Sequence, residues 1–115
     1  MSTSAKTSVG HWRAQRVTAI FLAPLGLWFM YSVIALAGQP YPAFHAWAGG
    51  GLNGFLLGLF AVVLFRHAQL GVEEVIQDYV RSPCIKYGSL IAVRVAAAGL
   101  LGLALLSIVL IVMGE

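Results

Sequence analysis

The chain alternates long apolar segments with short polar ones, and this pattern is typical of a membrane protein. Residues 17–65 contain no Asp, Glu, Lys or Arg, and a second uncharged segment covers residues 95–114. About 20 apolar residues cross a bilayer as a helix, so the first segment accommodates two spans and the second most of a third. The pattern therefore predicts an all-α membrane protein with three transmembrane helices.

Breaks in the apolar pattern set the boundaries of the predicted helices. Two prolines lie close together in the segment 38–42, and prolines oppose helical geometry there. The spans are predicted at about 17–37, 44–71 and 84–113, in one membrane-anchor domain covering residues 1–115. The polar, Ser- and Thr-rich residues 1–10 are expected to be disordered.

Basic residues flank only two of the polar segments. They are Lys6, Arg13 and Arg16 before the first span, and Arg66, Arg81 and Lys86 around the connection between the second and third spans. The positive-inside rule therefore predicts a cytoplasmic N-terminus and a periplasmic C-terminus. The first apolar segment is longer than that of a usual signal peptide, and no Arg-rich transit peptide is visible, which favours a bacterial inner membrane.

Composition restricts the function further. Of 115 residues, 60% are hydrophobic and 10% charged, which leaves no room for a separate soluble domain. Hydrophilic catalytic machinery must therefore come from partner chains. The basic residues behind the net charge of +3 are scattered, and most lie at the predicted span ends, so the charge does not indicate nucleic-acid binding.

The second span carries small residues and a histidine on different sides. The small residues, at four-residue spacing, are Gly50, Gly54 and Gly58. His67 lies about 180° around the helix from Gly58 and about 140° from Gly54. We expect the glycine side to pack on a helix, with Ala92 and Ala96 as a complementary surface, and the histidine side to face something else.

His67 is the candidate metal ligand. It is an ionisable side chain near the end of an apolar span, and neutral imidazole is a common haem ligand. The alternative is an interfacial histidine bonded to water or to a backbone carbonyl. His45 lies about 33 Å away along the helix, and His11 precedes the first span, so any second iron ligand is expected from another chain.

Asp78 and Tyr79 lie in the predicted cytoplasmic connection. A phenol at a membrane surface either anchors the helix there or donates a hydrogen bond to a quinone carbonyl. Asp78 is expected to orient that phenol or a nearby cation. Glu73 and Glu74 are predicted to be solvated surface charges.

Two arginines have alternative interpretations. Arg16 at the start of the first span either helps to set the membrane topology and snorkels to the surface, or pairs with an anionic cofactor group such as a haem propionate. Arg94 lies about 12 Å inside the third span, where it either snorkels to the surface or pairs with an acidic side chain or a propionate.

Together these residues resemble the cytochrome b anchor subunit of succinate:quinone oxidoreductase, the hydrophobic membrane anchor of succinate dehydrogenase. The matching segments are Arg16-Val17-Thr18-Ala19-Ile20, His67-x3-Gly71-x6-Asp78-Tyr79, and Pro83 shortly afterwards. Length, number of spans and predicted orientation also agree, so the resemblance covers nearly the whole chain.

The resemblance implies a subunit of an enzyme, respiratory complex II, rather than an enzyme by itself. A second cytochrome b anchor subunit would share one haem b, with His67 as an axial ligand and Arg16 near the propionates. Tyr79, supported by Asp78, would hydrogen-bond ubiquinone. An iron–sulfur subunit and a flavoprotein subunit would dock on the membrane side that carries these residues. Succinate would bind to those soluble subunits rather than to this chain.

Three other functions remain to be compared. A cofactor-free structural anchor of another respiratory complex would keep the spans and bind no haem. A quinol:fumarate reductase anchor would use the same geometry in the reverse direction. A small transporter is disfavoured, because transporters place polar groups near the bilayer midplane and the first two spans offer only Thr18, Ser32 and Asn53.

Overall fold

The computed structural model describes the backbone of residues 2–114 and the side chains of residues 10–114. In this part the chain forms four helices: α1 (Ser2–Leu36), α2 (Tyr41–Ala48), α3 (Gly51–Tyr79) and α4 (Pro83–Val112). Three helical segments have the length and composition to cross a membrane: Gly10–Leu36, Gly51–Tyr79 and Pro83–Val112. The prediction of an all-helical fold with three helices long and apolar enough to span a membrane is therefore confirmed, and α4 differs from the third predicted span by one residue at each end.

The first helix is longer than the first predicted span. It begins at Ser2, so the expectation of disorder in residues 1–10 is wrong for residues 2–10; Met1 and the side chain of Lys6 lie outside the described part. Extending an existing helix costs much less than nucleating one, and no proline occurs before Pro24. α1 continues through Pro24 to Leu36.

The second predicted span is divided, so a single helix over 44–71 is wrong. Gly50 has extended backbone angles (φ −63°, ψ 136°) and separates α2 from α3. The amide Nδ2 of Asn53 donates to the Trp47 carbonyl at 3.0 Å, which satisfies a carbonyl at the end of α2. The consecutive glycines 49–51 make this break inexpensive, because glycine is a poor helix former.

Helix α3 lies between α1 and α4. Phe29 on α1 stacks on Phe60 of α3 with ring centroids 4.7 Å apart. Trp47 of α2 stacks on Trp28 of α1 with ring centroids 5.6 Å apart. Aromatic stacking thus fixes α1 against the other helices at the end opposite to His67.

The small-residue ridge of α3 packs on α4, as expected, but against different residues. A Cβ added at Gly54 would lie 2.6 Å from Val112 Cγ2, and one at Gly58 would lie 3.8 Å from Leu105 Cδ2. Gly50 instead caps α3. The prediction of Ala92 and Ala96 as the partners of these glycines is wrong. The antiparallel register of α3 and α4 places the two alanines towards the other end of this helix pair.

Little of the apolar surface is buried within the chain. The buried apolar side chains are Leu25, Ala48, Ala61, Val63, Leu70 and Leu90, while large apolar residues are exposed along all three long helices. An apolar exterior of this kind is stable against lipid or against partner membrane helices, and unstable in water.

We predict that Gly54→Leu destabilises the contact between α3 and α4. The added side chain must displace Val112 and also meets the Ala48 carbonyl, 3.1 Å from the position of Cβ. Overpacking of this kind costs about 1–3 kcal/mol. Gly102→Leu is the matched control, because a Cβ at Gly102 meets nothing within 4 Å. The measurement is thermal unfolding of the chain in detergent. Equal stability of the two variants would contradict the described packing of Gly54 on α4.

Candidate functional site

The first half of α1 lies antiparallel to the last part of α3. Thr18 is opposite His67, with Thr18 Oγ1 2.8 Å from His67 Nδ1. One turn further on, Gln15 Nε2 lies 3.6 Å from the position of a Cβ at Gly71. This register brings the N-terminal part of α1 and the C-terminal part of α3 to one end of the bundle.

His67 is partly buried between these two helices. The hydroxyl of Thr18 is 2.7 Å from the Ala14 carbonyl oxygen and 3.0 Å from that of Gln15, besides its contact with the imidazole. Among the described residues the imidazole makes its hydrogen bond through Nδ1. The opposite nitrogen, Nε2, is therefore the one left for a ligand.

The structure does not bring Arg16 into contact with His67. Arg16 is two residues from Thr18, about 200° around the helix, and its guanidinium carbon lies 4.9 Å from the centroid of the Trp12 ring. Arg16 is exposed at the same end of the bundle as His67. Its contact here is a cation–π interaction.

Asp78 and Tyr79, which were predicted to lie in the connection after the second span, are the last residues of α3. Tyr79 is 79% exposed, so its phenol is available to another molecule. The hydrogen bonds of the described residues include none between Asp78 and Tyr79. Tyr79 lies twelve residues beyond His67, about 18 Å along the helix, so the two side chains form separate positions.

Glu73 is buried, which corrects its prediction as a solvated charge. Its side chain is 5% exposed and lies 3.3 Å from Arg94 of α4, whose own side chain is 58% exposed. Gln69 donates to the same carboxylate at 2.6 Å. Of the alternatives for Arg94, the structure supports pairing with an acidic side chain; Glu74 is exposed, as predicted.

A polar pocket of about 310 Å³ adjoins this ion pair where α1, α3 and α4 meet. Its lining residues are His11, Trp12, Gln15, Glu73, Glu74, Gln77, Asp78 and Arg94. Two buried atoms there, Nε2 of His11 and Oε1 of Gln15, have no hydrogen-bond partner in the described part of the chain. Water molecules are suited to such a space, because they satisfy buried polar atoms.

Residues 2–111 match the family model described as succinate dehydrogenase/fumarate reductase transmembrane subunit. The chain belongs to this family. The resemblance noted in the sequence is therefore confirmed at the level of the family.

Relatives within the succinate dehydrogenase family match most of the chain. The succinate dehydrogenase hydrophobic membrane anchor subunit of Rickettsia bellii (strain RML369-C) is 31% identical over 91 residues, which cover 79% of this chain and 73% of the relative. Its counterpart in Rickettsia conorii (strain ATCC VR-613 / Malish 7) is 34% identical over 80 residues, which cover 69% of this chain and 64% of the relative. The succinate dehydrogenase membrane anchor subunit of Reclinomonas americana is 30% identical over 95 residues, which cover 80% of this chain and 79% of the relative.

Three polar residues of this succinate dehydrogenase family member were not singled out as site residues from the sequence: Thr18, Gln69 and Glu73. One signal for Glu73 was Arg94 itself, because an arginine inside a span needs a counter-ion. The side chain of Arg94 points back towards the start of α4, which brings its guanidinium to the level of Glu73. Thr18 belongs to the matching segment 16–20, but only the register of α1 against α3 reveals that its hydroxyl contacts His67.

We predict an asymmetric effect of breaking the ion pair. Arg94→Met should destabilise the chain by about 1–3 kcal/mol, because it leaves the buried Glu73 carboxylate without its cation. Glu73→Gln should cost less, because the exposed Arg94 reaches water without its partner. Thermal unfolding in detergent measures both.

The double variant and a neighbour provide the controls. Glu73→Gln combined with Arg94→Met should cost less than the sum of the single changes, because the two groups interact directly. Glu74→Gln, at the exposed neighbouring position, should change stability by no more than about 0.5 kcal/mol. Additive single effects would contradict the pairing.

Proposed function

We propose that this chain is the membrane anchor subunit of succinate:quinone oxidoreductase in a bacterial inner membrane. The overall reaction converts succinate and quinone to fumarate and quinol. Family membership, the names of the relatives and the three apolar helices support this role. The contact that holds His67 through Nδ1 carries the cofactor part of the proposal.

His67 fits a haem b as an axial ligand through Nε2. A haem iron needs an imidazole nitrogen with a free lone pair, and the contact with Thr18 engages the other nitrogen. The haem would supply a one-electron carrier within the membrane. A second ligand for the same iron would come from a sister cytochrome b anchor subunit, because His45 lies on α2 at the other end of the bundle and His11 lies seven residues, about 10 Å, before Thr18 on α1.

Arg16 is assigned to the haem propionates. Its guanidinium is exposed at the end of the bundle that also holds His67, and the ring of Trp12 supports it. Arginine binds carboxylates through paired hydrogen bonds, so this position is suited to a propionate.

Tyr79 and Asp78 are assigned to ubiquinone. The Tyr79 phenol is exposed at the end of α3, where its hydroxyl donates a hydrogen bond to a quinone carbonyl and its ring packs on the quinone. The Asp78 carboxylate lines the polar pocket, and we assign it the supporting role to the neighbouring phenol.

The same end of the bundle would dock the iron–sulfur and flavoprotein subunits. Arg13, Arg16, Arg66, Arg81 and Lys86 all belong to this end of the helices or to the connection between α3 and α4, and the positive-inside rule assigns that end to the cytoplasm. Succinate would be oxidised in the soluble subunits, and electrons would reach the quinone at the membrane surface.

A fumarate reductase role is the second candidate, because the description of the family includes that enzyme. The same anchor geometry serves both directions. The relatives named as succinate dehydrogenase subunits favour the oxidative direction.

We predict that His67→Ala removes or strongly perturbs a b-type haem band. The measurement is a dithionite-reduced minus oxidised spectrum of the complex purified through this chain. His45→Ala is the control, because His45 lies on α2 at the other end of the bundle and should leave the band unchanged. An unchanged band in His67→Ala would remove His67 from the iron site, and a wild-type complex without haem would favour a structural anchor.

We predict that Tyr79→Phe raises the KM for ubiquinone by about 2- to 10-fold, the equivalent of one lost hydrogen bond. Tyr87→Phe is the control, because Tyr87 is similarly exposed but lies on α4. Reduction of a soluble dye by succinate in the intact complex should not change in either variant. Equal quinone KM values for the two variants would exclude Tyr79 from quinone binding.

A further inference from the structure

We propose that Thr18 is a positioning residue that selects the tautomer of His67 and strengthens its Nε2 as an iron ligand. This inference rests on the proposed ligation of haem by His67 and deepens it. The proposed role of Thr18 requires no contact with iron or porphyrin, because Thr18 acts through the imidazole alone.

The hydrogen bonds of Thr18 determine which atom carries the proton. A threonine hydroxyl has one proton to donate. Three groups lie within hydrogen-bonding distance of Thr18 Oγ1: the Ala14 carbonyl oxygen at 2.7 Å, the Gln15 carbonyl oxygen at 3.0 Å and His67 Nδ1 at 2.8 Å. Carbonyl oxygens only accept. Two oxygens 2.7 Å apart need a proton between them, so the hydroxyl donates to Ala14.

The imidazole must then be the donor in the contact with Thr18. With its only proton directed at Ala14, the hydroxyl oxygen accepts from Nδ1–H. In a neutral imidazole with Nδ1 protonated, Nε2 carries the free lone pair. Thr18 therefore selects the tautomer that binds a metal through Nε2, and disfavours the one in which Nε2 is blocked by a proton.

The local structure holds this acceptor in place. Threonine in a helix commonly bonds the carbonyl four residues earlier, and its branched Cβ restricts the rotation of the hydroxyl. The backbone of α1 thus presents the hydroxyl to α3 in one orientation. One turn away, Gln15 Nε2 lies 3.6 Å from the position of a Cβ at Gly71, so the two helices also lie close together at this level.

The hydrogen bond also changes the electronic character of the ligand. An acceptor on Nδ1–H makes an imidazole more basic and a stronger donor to its metal. A stronger donor favours ferric over ferrous iron, which lowers the haem reduction potential. Loss of the Thr18 hydroxyl should therefore shift the midpoint potential upwards and reduce the amount of bound haem.

The test is an optical redox titration of the haem in the intact complex, with haem content measured relative to flavin. Thr18→Val removes the hydroxyl at nearly constant shape, Thr18→Ala removes it without added bulk, and Thr18→Ser keeps it. We expect a more positive potential in the Val and Ala variants and a wild-type potential in the Ser variant.

Ser32→Ala is the matched control on the same helix. Ser32 Oγ bonds the Trp28 carbonyl at 2.9 Å, so this change also removes a hydroxyl bonded four residues back, but away from His67. Its potential should equal that of the wild type. A shift equal to that of Thr18→Val would overturn the inference by showing a general effect of the helix.

Two further outcomes separate this inference from the proposed function. Wild-type potentials in both Thr18→Val and Thr18→Ala, with a haem that His67→Ala removes, would overturn the role of Thr18 alone. A haem that His67→Ala leaves unchanged would overturn the ligand assignment and the role of Thr18 together.

Discussion

Polar side chains within apolar helices must find partners inside the protein, and this requirement determines how the helices are arranged. The hydrocarbon of a bilayer offers no hydrogen bonds, so an unpaired polar group there is costly. Thr18 pairs with His67 across α1 and α3, and Glu73 pairs with Arg94 across α3 and α4. Both contacts lie towards the same end of α3, and each connects it to a different neighbour.

The same contacts explain why the candidate chemistry collects at one end of the bundle. The contact of Thr18 with His67 occurs where α1 runs antiparallel to α3, and that register also places Arg16 and Tyr79 at the same end. The opposite end is held by apolar and aromatic contacts, such as the stacking of Trp28 on Trp47 and the approach of Gly54 to Val112. One end is thus held by apolar packing, and the other carries the polar residues on which the proposed function rests.

The fold could be predicted from the sequence because its determinants are local. Uncharged segments of sufficient length specify the three spans, and α4 agrees with its predicted limits to within one residue at each end. The break at Gly50 was missed because an apolar glycine-rich segment also suits a continuous membrane helix. The helical structure of residues 2–10 was missed because their polar composition alone does not reveal that the adjacent helix extends into them.

The site could be predicted only in part, because its geometry depends on the register between helices. His67, Arg16, Asp78 and Tyr79 carry chemical signals of their own, whereas Thr18 is an ordinary helix residue until His67 is placed beside it. Glu73 is similar: its sequence environment is polar, and only the approach of α4 buries it against Arg94. Side chains that act through a neighbour need a three-dimensional structure to be recognised.

In the proposed arrangement, Thr18 of α1 holds His67 through Nδ1, and Nε2 binds a haem iron. The most direct measurement is a cryo-electron microscopy structure of the complex purified through this chain, at a resolution that fixes the orientation of the imidazole. We expect density for a haem with Nε2 of His67 at bonding distance from the iron and Nδ1 within hydrogen-bonding distance of Thr18. A haem ligated by other residues, or an imidazole turned so that Nδ1 faces the iron, would contradict this account.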